Sequence, residues 1–383
     1  MFQRPHAVLP EASHDEFARE EFCGTLRQFF AERLWPGNAE VYSGIQLPAF
    51  EARFGRQPAS RQEVKDLMEE TFYYRASGLI GRCAQELLWD TVGESVERQI
   101  EILRDRARPP EHPIGSLKLH PEMPIPRYVQ SVDIHAMPGN FHTELCADDV
   151  FAGALYDRGV YYFAYGGMGP DNEIVGTAMA DYLKQQFPDL RPKRILDVGC
   201  GVGFSTLPWK RLFPDADVYG VDIAAPMVRY AHARAESWGM PVHFSQQDGT
   251  RTDFPDGFFD IVSSCLLNHE CPVHVVKGLI KEGARILAAG GVYLCDGLPK
   301  DNLSPERQLL GDWYTYNVNE PFTSGLNRID YEAVFAEAGF DRAGFFLSGS
   351  RPPAYLKGMY SAQNNGSGTG YVGNVKIQSG DMK

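Results

Sequence analysis

Between residues 194 and 295, short runs of branched and aromatic residues alternate with helical stretches, and this alternation limits the available folds more than any other feature of the chain. Strand signals fall at 194–198, 218–221, 242–244, 259–263 and 292–295, with helical signals at 205–213, 226–238 and 273–287. A further helix ahead of the first strand carries Ile174, Val175, Ala178, Met179, Tyr182 and Leu183 on one face. Strands that each return through a helix lie parallel, so the expected fold is α/β, a doubly wound and mostly parallel sheet.

The first hundred residues have a different pattern. Phe22, Leu26, Phe29, Phe30 and Leu34 fall at helical spacing, Ser13 with Glu16 forms a capping box, and Pro36-Gly37 is expected to end this helix. Ser60 and Glu63 repeat the capping signal ahead of Val64, Leu67, Met68 and Phe72. A longer helical pattern takes Ile80, Cys83, Leu87, Val92, Val96, Ile100 and Leu103 as its apolar face. Prolines 109, 110, 113, 121, 124 and 126 deny helix and predict an extended connector. The division expected is a mainly helical unit over 1–150 that includes this connector, the sheet domain over 151–360, and a Gly/Ser/Asn-rich tail over 361–383. Within that tail 363–373 reads as flexible and 371–377 as a final strand.

Composition narrows the function. The 383 residues, 43% hydrophobic and 23% charged, are ordinary for a globular protein. Fifty acidic against 37 basic side chains leave a net charge of −13, which argues against nucleic acid and anionic membranes as partners. The 7 cysteines are scattered without CxxC spacing, which reads as reduced thiols in the cytoplasm. No targeting signal is read at the start, and no run reaches the roughly 18 apolar residues of a spanning helix.

The first strand of the alternating region runs straight into Asp197-Val198-Gly199-Cys200-Gly201-Val202-Gly203-Phe204. Glycines there let the backbone turn sharply and approach a ligand closely. The spacing is G-x-G-x-G, and the dinucleotide fingerprint needs a glycine where this chain has Phe204. Asp222 ends the second strand, where a carboxylate can accept hydrogen bonds from both hydroxyls of a ribose. Asp248 follows the third strand on the same edge. As simpler structural roles, Asp222 could cap a helix and Asp248 could form an Asx turn.

That combination resembles the class I S-adenosylmethionine-dependent methyltransferases, in particular the small-molecule branch whose first motif reads like ILDVGCGxG, over about residues 171–344. The resemblance implies a Rossmann-like methyltransferase core with S-adenosyl-L-methionine as cofactor. It implies that Gly199, Gly201 and Gly203 line the methionine portion, that Asp222 holds the ribose and that Asp248 holds the adenine amino group. Asp197 fits the family's acidic residue before the glycines, and Leu267 and Asn268 fall near the cofactor in its fourth motif, 259–269. Ser263-Ser264-Cys265-Leu266 stands where methyltransferases of DNA bases or glutamine carry N/D-P-P-Y/F, which again points away from nucleic acid.

The acceptor side is read from what surrounds this core. His269 lies just past the sheet edge and is the candidate general base. His269 and His274 lack the two-ligand spacing of one helix, so no metal is assigned. Tyr161 and Tyr165 before the core, and Trp313, Tyr314 and Tyr316 after the fifth strand, are candidate substrate contacts, with core packing as the alternative. His135 and His142 stand in a connector dense in polar donors. The helical unit over 1–150 is expected to be a lid contributing substrate contacts, or a homodimer contact. The reading is a methyltransferase for a small metabolite, O- or N-methylation ahead of S- or C-. The alternatives are an NAD-dependent oxidoreductase and a non-catalytic adenosylmethionine-binding protein.

Overall fold

The computed structural model describes residues 2–296, 303–326, 328–348 and 371–376. The helical part comprises α1 (His14–Phe29), α2 (Gly37–Val41), α3 (Leu47–Phe54), α4 (Arg61–Glu69), α5 (Phe72–Glu97) and α6 (Ile100–Arg106). The expected capping box is present: the Ser13 hydroxyl accepts from the Glu16 amide while the Glu16 carboxylate accepts from the Ser13 amide. Ser60 caps α4 by accepting from Glu63 N–H.

Pro36-Gly37 does not stop the helical path. The last turn widens into a π-helix over Phe30–Leu34, and Pro36 then serves as N-cap of α2, where its missing N–H costs nothing. Gly37 is needed for space, because a Cβ there would collide with the Tyr73 hydroxyl. The expected apolar faces hold at Phe30, Val92, Val96 and Leu103, which are buried, and are rotated elsewhere. Phe22, Phe29, Ile80, Cys83 and Leu87 are exposed, whereas Cys23, Gly24, Gly81, Ala84 and Leu88 are buried. Small residues on the inner faces let α1 and α5 approach closely, and the bulkier side chains are left outside.

Among the described residues the sheet has eight strands: β1 (Ser116–Lys118), β2 (Arg194–Val198), β3 (Asp217–Asp222), β4 (His243–Gln246), β5 (Phe259–Ser264), β6 (Leu287–Asp296), β7 (Phe345–Ser348) and β8 (Tyr371–Val375). Their order is β1-β4-β3-β2-β5-β6-β8-β7. Strands β1 to β6 pair in parallel, and β8 runs antiparallel between β6 and β7. The doubly wound reading therefore holds, and the proline-rich connector is extended enough to add β1 at one edge. At the other end β7 is the edge strand, and β8 beside it comes from the segment set apart as a tail, while residues 363–370, expected to be flexible, lie outside the described residues.

Period-two alternation divides the sheet between two cores. Ile195, Val218, Phe244, Ile261 and Leu294 face α9 (Ile174–Gln186), α10 (Thr206–Leu212) and α11 (Ala225–Ser237). Leu196, Val221, Val262, Tyr293 and Cys295 face α12 (Val273–Ile286) and α15 (Tyr331–Glu337). Strand order reverses between β3 and β5 on either side of β2, which opens a crevice at the carboxyl ends of these strands. A third cluster joins Leu88, Trp89, Val92 and Val96 of α5, through Leu155 of α8 (Phe151–Phe163), to Met227 and Tyr230 of α11.

Candidate active site

The crevice is built from the end of β2. Gly199, Gly201 and Gly203 have φ of 69°, 50° and 86°, a left-handed conformation that a side chain would strain. Gly199 and Cys200 donate their N–H groups to the Val221 carbonyl, which ties the loop to β3. Asp222 closes the arrangement: Oδ2 accepts from Gly201 N–H at 2.9 Å and Oδ1 from Ala224 N–H at 2.9 Å, just ahead of α11. The N-cap of α11 is Ala224, without a side-chain cap bond, so Asp222 is not the helix cap; its carboxylate braces the turn before α11 while facing the cavities. Burial raises Asp222 from its ordinary 3.8 to about 6, and among the described residues no cation pairs with it.

Two adjoining cavities share Gly199, Asp222, Leu267, Phe141 and Glu270. One, of about 580 Å³, continues along Gln247, Asp248, Gly249 and Tyr128. Asp248 lines it while its Oδ1 accepts from Thr250 N–H and Oγ1, so an Asx turn fixes a carboxylate that faces the cavity. The other, of about 660 Å³, runs along Gly201, Ser205, Phe204 and Met168. Phe204 stacks on Tyr156 at 5.7 Å, so a bulky ring occupies the place of the third glycine in a dinucleotide loop.

Three of the expected contacts lie behind the walls. Asp197 is wholly buried and accepts from Ser205 Oγ and Thr206 Oγ1, both at 2.6 Å, and from Ser263 Oγ at 3.3 Å. It braces the loop without lining either cavity. Gly203 turns its α-carbon toward Phe244 and Leu207 in the core. Asn268 is buried, with Nδ2 donating to the Asp296 carbonyl at 2.8 Å.

A third chamber of about 580 Å³ opens from the second past Leu266 and Glu270. Its apolar wall is Trp89, Tyr156, Val160, Phe163, Ala164 and Met168, and its polar wall is His135, His269 and Glu270. His269 stands where the sequence suggested, while His274 is exposed on α12. His135 Nε2 is 3.2 Å from Glu270 Oε1 and Nδ1 is 3.4 Å from Glu320 Oε1. Burial alone would lower this imidazole, but the two carboxylates outweigh it and raise it to about 10.

None of the five expected aromatic contacts lines these chambers. Tyr161 is buried against Tyr162, and Tyr165 and Tyr314 belong to the cluster that packs Phe30, Trp35, Met68 and Tyr74 against α13 (Pro305–Asn317). Trp313 is stacked between Tyr74 at 4.6 Å and Tyr316 at 5.6 Å, and Tyr316 is 71% exposed. Packing against the helical part claims these rings. The aromatic wall comes instead from α5 and α8, through Trp89, Tyr156 and Phe163. The connector's polar density is the signal that could have found His135.

Residues 195–291 match a family described as a methyltransferase domain. A demethylmenaquinone methyltransferase of Thermus thermophilus is 44% identical over 19% of this chain and 33% of its own length. Ajmaline N-methyltransferase of Rauvolfia serpentina is 31% identical over 32% of this chain and 42% of its own. The chain therefore spans less than half of either relative. A phosphoethanolamine N-methyltransferase structure from Haemonchus contortus aligns with 58% of the chain and 58% of its own length, at 19% identity and a TM-score of 0.44. The matched segment runs from β2 through the glycine loop, Asp222 and Asp248 into β6, so over these residues the chain is similar to a methyltransferase domain.

Proposed function

We propose that the chain is an S-adenosylmethionine-dependent methyltransferase for a small metabolite, with oxygen or nitrogen as the acceptor atom. The observation that carries this reading is the meeting of the Asp222 and Asp248 cavities with a separate, mostly apolar chamber at Leu266 and Glu270. A half-buried carboxylate that pairs with no cation among the described residues fits the two hydroxyls of a ribose, and Asp248 fits an adenine amino group. Gly199, Gly201 and Leu267 leave room for the methionine portion between them. When bound, the sulfonium supplies an activated methyl group for in-line displacement.

The chain's own residues then align and desolvate. Trp89, Tyr156 and Phe163 exclude water around the acceptor and hold its apolar body. His269, on the polar wall, receives the proton of an acceptor that must lose one. The concave, mostly apolar chamber and the net charge of −13 support a small molecule over nucleic acid. Among the described residues no helix is long and apolar enough to cross a membrane, and all seven cysteines are free, which supports a reducing, cytoplasmic setting.

The test is methyl-labelled S-adenosylmethionine incubated with the full chain and a fractionated metabolite extract. Label in small molecules is expected. Label appearing only in nucleic acid or protein contradicts the reading.

A further inference from the structure

His135, His269, Glu270 and Glu320 come from three separate segments: the connector before α8, the turn after β5 and the loop after α13. One ligand atom each from His135, His269 and Glu320 falls within 4.8 Å of the others. Glu270 lies among them, with Oε1 3.2 Å from His135 Nε2 and 3.9 Å from His269 Nε2. Among the described residues neither glutamate forms an ion pair with Lys or Arg.

Glu320 supplies an independent observation. Its side chain is 4% exposed, and its Oε2 accepts from the Thr323 hydroxyl at 3.2 Å. Its Oε1 faces His135 Nδ1 at 3.4 Å without a well-formed hydrogen bond among the described residues. A carboxylate oxygen at that depth needs a cation, and an ion bound here would displace the proton that His135 otherwise holds between the two glutamates. His135 is meanwhile held from behind: its carbonyl accepts from Trp89 Nε1 and Gln85 Nε2, each at 2.7 Å. That clamp fixes the backbone from which the ring projects and leaves both ring nitrogens to the glutamates.

We propose that His135, His269 and Glu320, with Glu270 as a fourth ligand, form a site for a divalent transition-metal ion of the zinc class. Two imidazoles with carboxylates are the borderline nitrogen and oxygen donors that such ions take, in preference to the all-oxygen sets of Mg²⁺ and Ca²⁺. His269 and Glu270 line the chamber, so the ion's open position faces Trp89 and Phe163. The ligand class that completes it is an acceptor with a hydroxyl, phenol or carboxylate oxygen, and the ion itself makes a hydroxyl or phenol acidic; with the ion bound, His269 is a ligand and no longer the proton acceptor. This substrate class rests on the methyltransferase reading, and the metal site does not.

The experiment is titration of chelator-stripped full chain with Co²⁺, followed by displacement with Zn²⁺. Expected are visible bands of a low-coordinate nitrogen and oxygen site, saturating at one equivalent and lost on Zn²⁺ addition. In His269→Ala and Glu320→Gln, folded by circular dichroism, affinity should fall at least about tenfold. His269→Ala removes a partly exposed side chain, so its fold is the safer of the two. Absence of the bands in wild type overturns the site, as do bands that persist unchanged in both folded variants. Co²⁺ bands in a chain that fails to bind S-adenosylhomocysteine uphold the metal site and overturn the methyltransferase reading.

Discussion

Asp222 shows what a single residue decides in this chain. Its carboxylate accepts from Gly201 and Ala224 amides, which fixes the glycine loop against the start of α11, and it also faces both cofactor-side cavities. Burial raises its pKa from 3.8 to about 6, so between about pH 4 and pH 6 the folded chain binds a proton that the unfolded chain has released. Its ionisation therefore costs stability as pH rises through that window. A ligand that donates ribose hydroxyls binds the ionised form, so affinity should rise as pH increases through about 6 and then level. Calorimetric titration with S-adenosylhomocysteine across pH should show this rise, and Asp222→Asn should remove it; an unchanged pH profile contradicts the ribose assignment. Local sequence made this residue and Asp248 legible because a strand followed by a glycine turn fixes where the next strand's last carboxylate falls. It did not reach Trp89 and marked His135 only beside His142 in a polar connector, since their positions depend on how α5 and the connector pack on the sheet. The aromatic runs misled for the same reason: Tyr161 and Trp313 look like pocket walls until the helices that bury them are in place.

Among elements, the strands and crossover helices follow the sequence to within a few residues, since each carries its own period and its own stop signals. The faces of α1 and α5 do not, because which side of a helix turns inward is set by close approach and by buried polar partners as well as by apolar spacing. Glu20 on α1 is one such partner. It is fully buried and paired with Arg158 on α8, Oε2 to Nη2 at 2.6 Å, and Ser95 of α5 adds a hydroxyl at 3.5 Å. Glu20→Gln should cost about 3 kcal/mol in urea unfolding, since it leaves a buried guanidinium without its counter-charge. A cost below about 1 kcal/mol, the range of exposed pairs, would show that the pair does not hold α1 to α8.

At the scale of the molecule, the division at residue 150 meets a core that crosses it. Leu88, Trp89, Val92, Val96 and Leu103 share one cluster with Phe151, Leu155, Met227 and Tyr230, and α8 spans the proposed start of the sheet domain. We propose that the helical part acts as a wall of the acceptor chamber, through Trp89 and His135, and is not a detachable lid. Chemical unfolding followed by circular dichroism and by fluorescence of the five tryptophans should then give one coincident transition, since Trp89 and Trp209 sit in connected cores. Two separated transitions would restore the independent lid. The account's central claim is that Gly199, Gly201 and Asp222 hold an adenosyl cofactor, and titration of the full chain with S-adenosylhomocysteine, with NAD as comparator, tests it most directly. The account predicts one saturable site, weakened about tenfold or more in Asp222→Ala, and no heat from NAD. Saturable NAD binding, or equal affinity in wild type and variant, would contradict it.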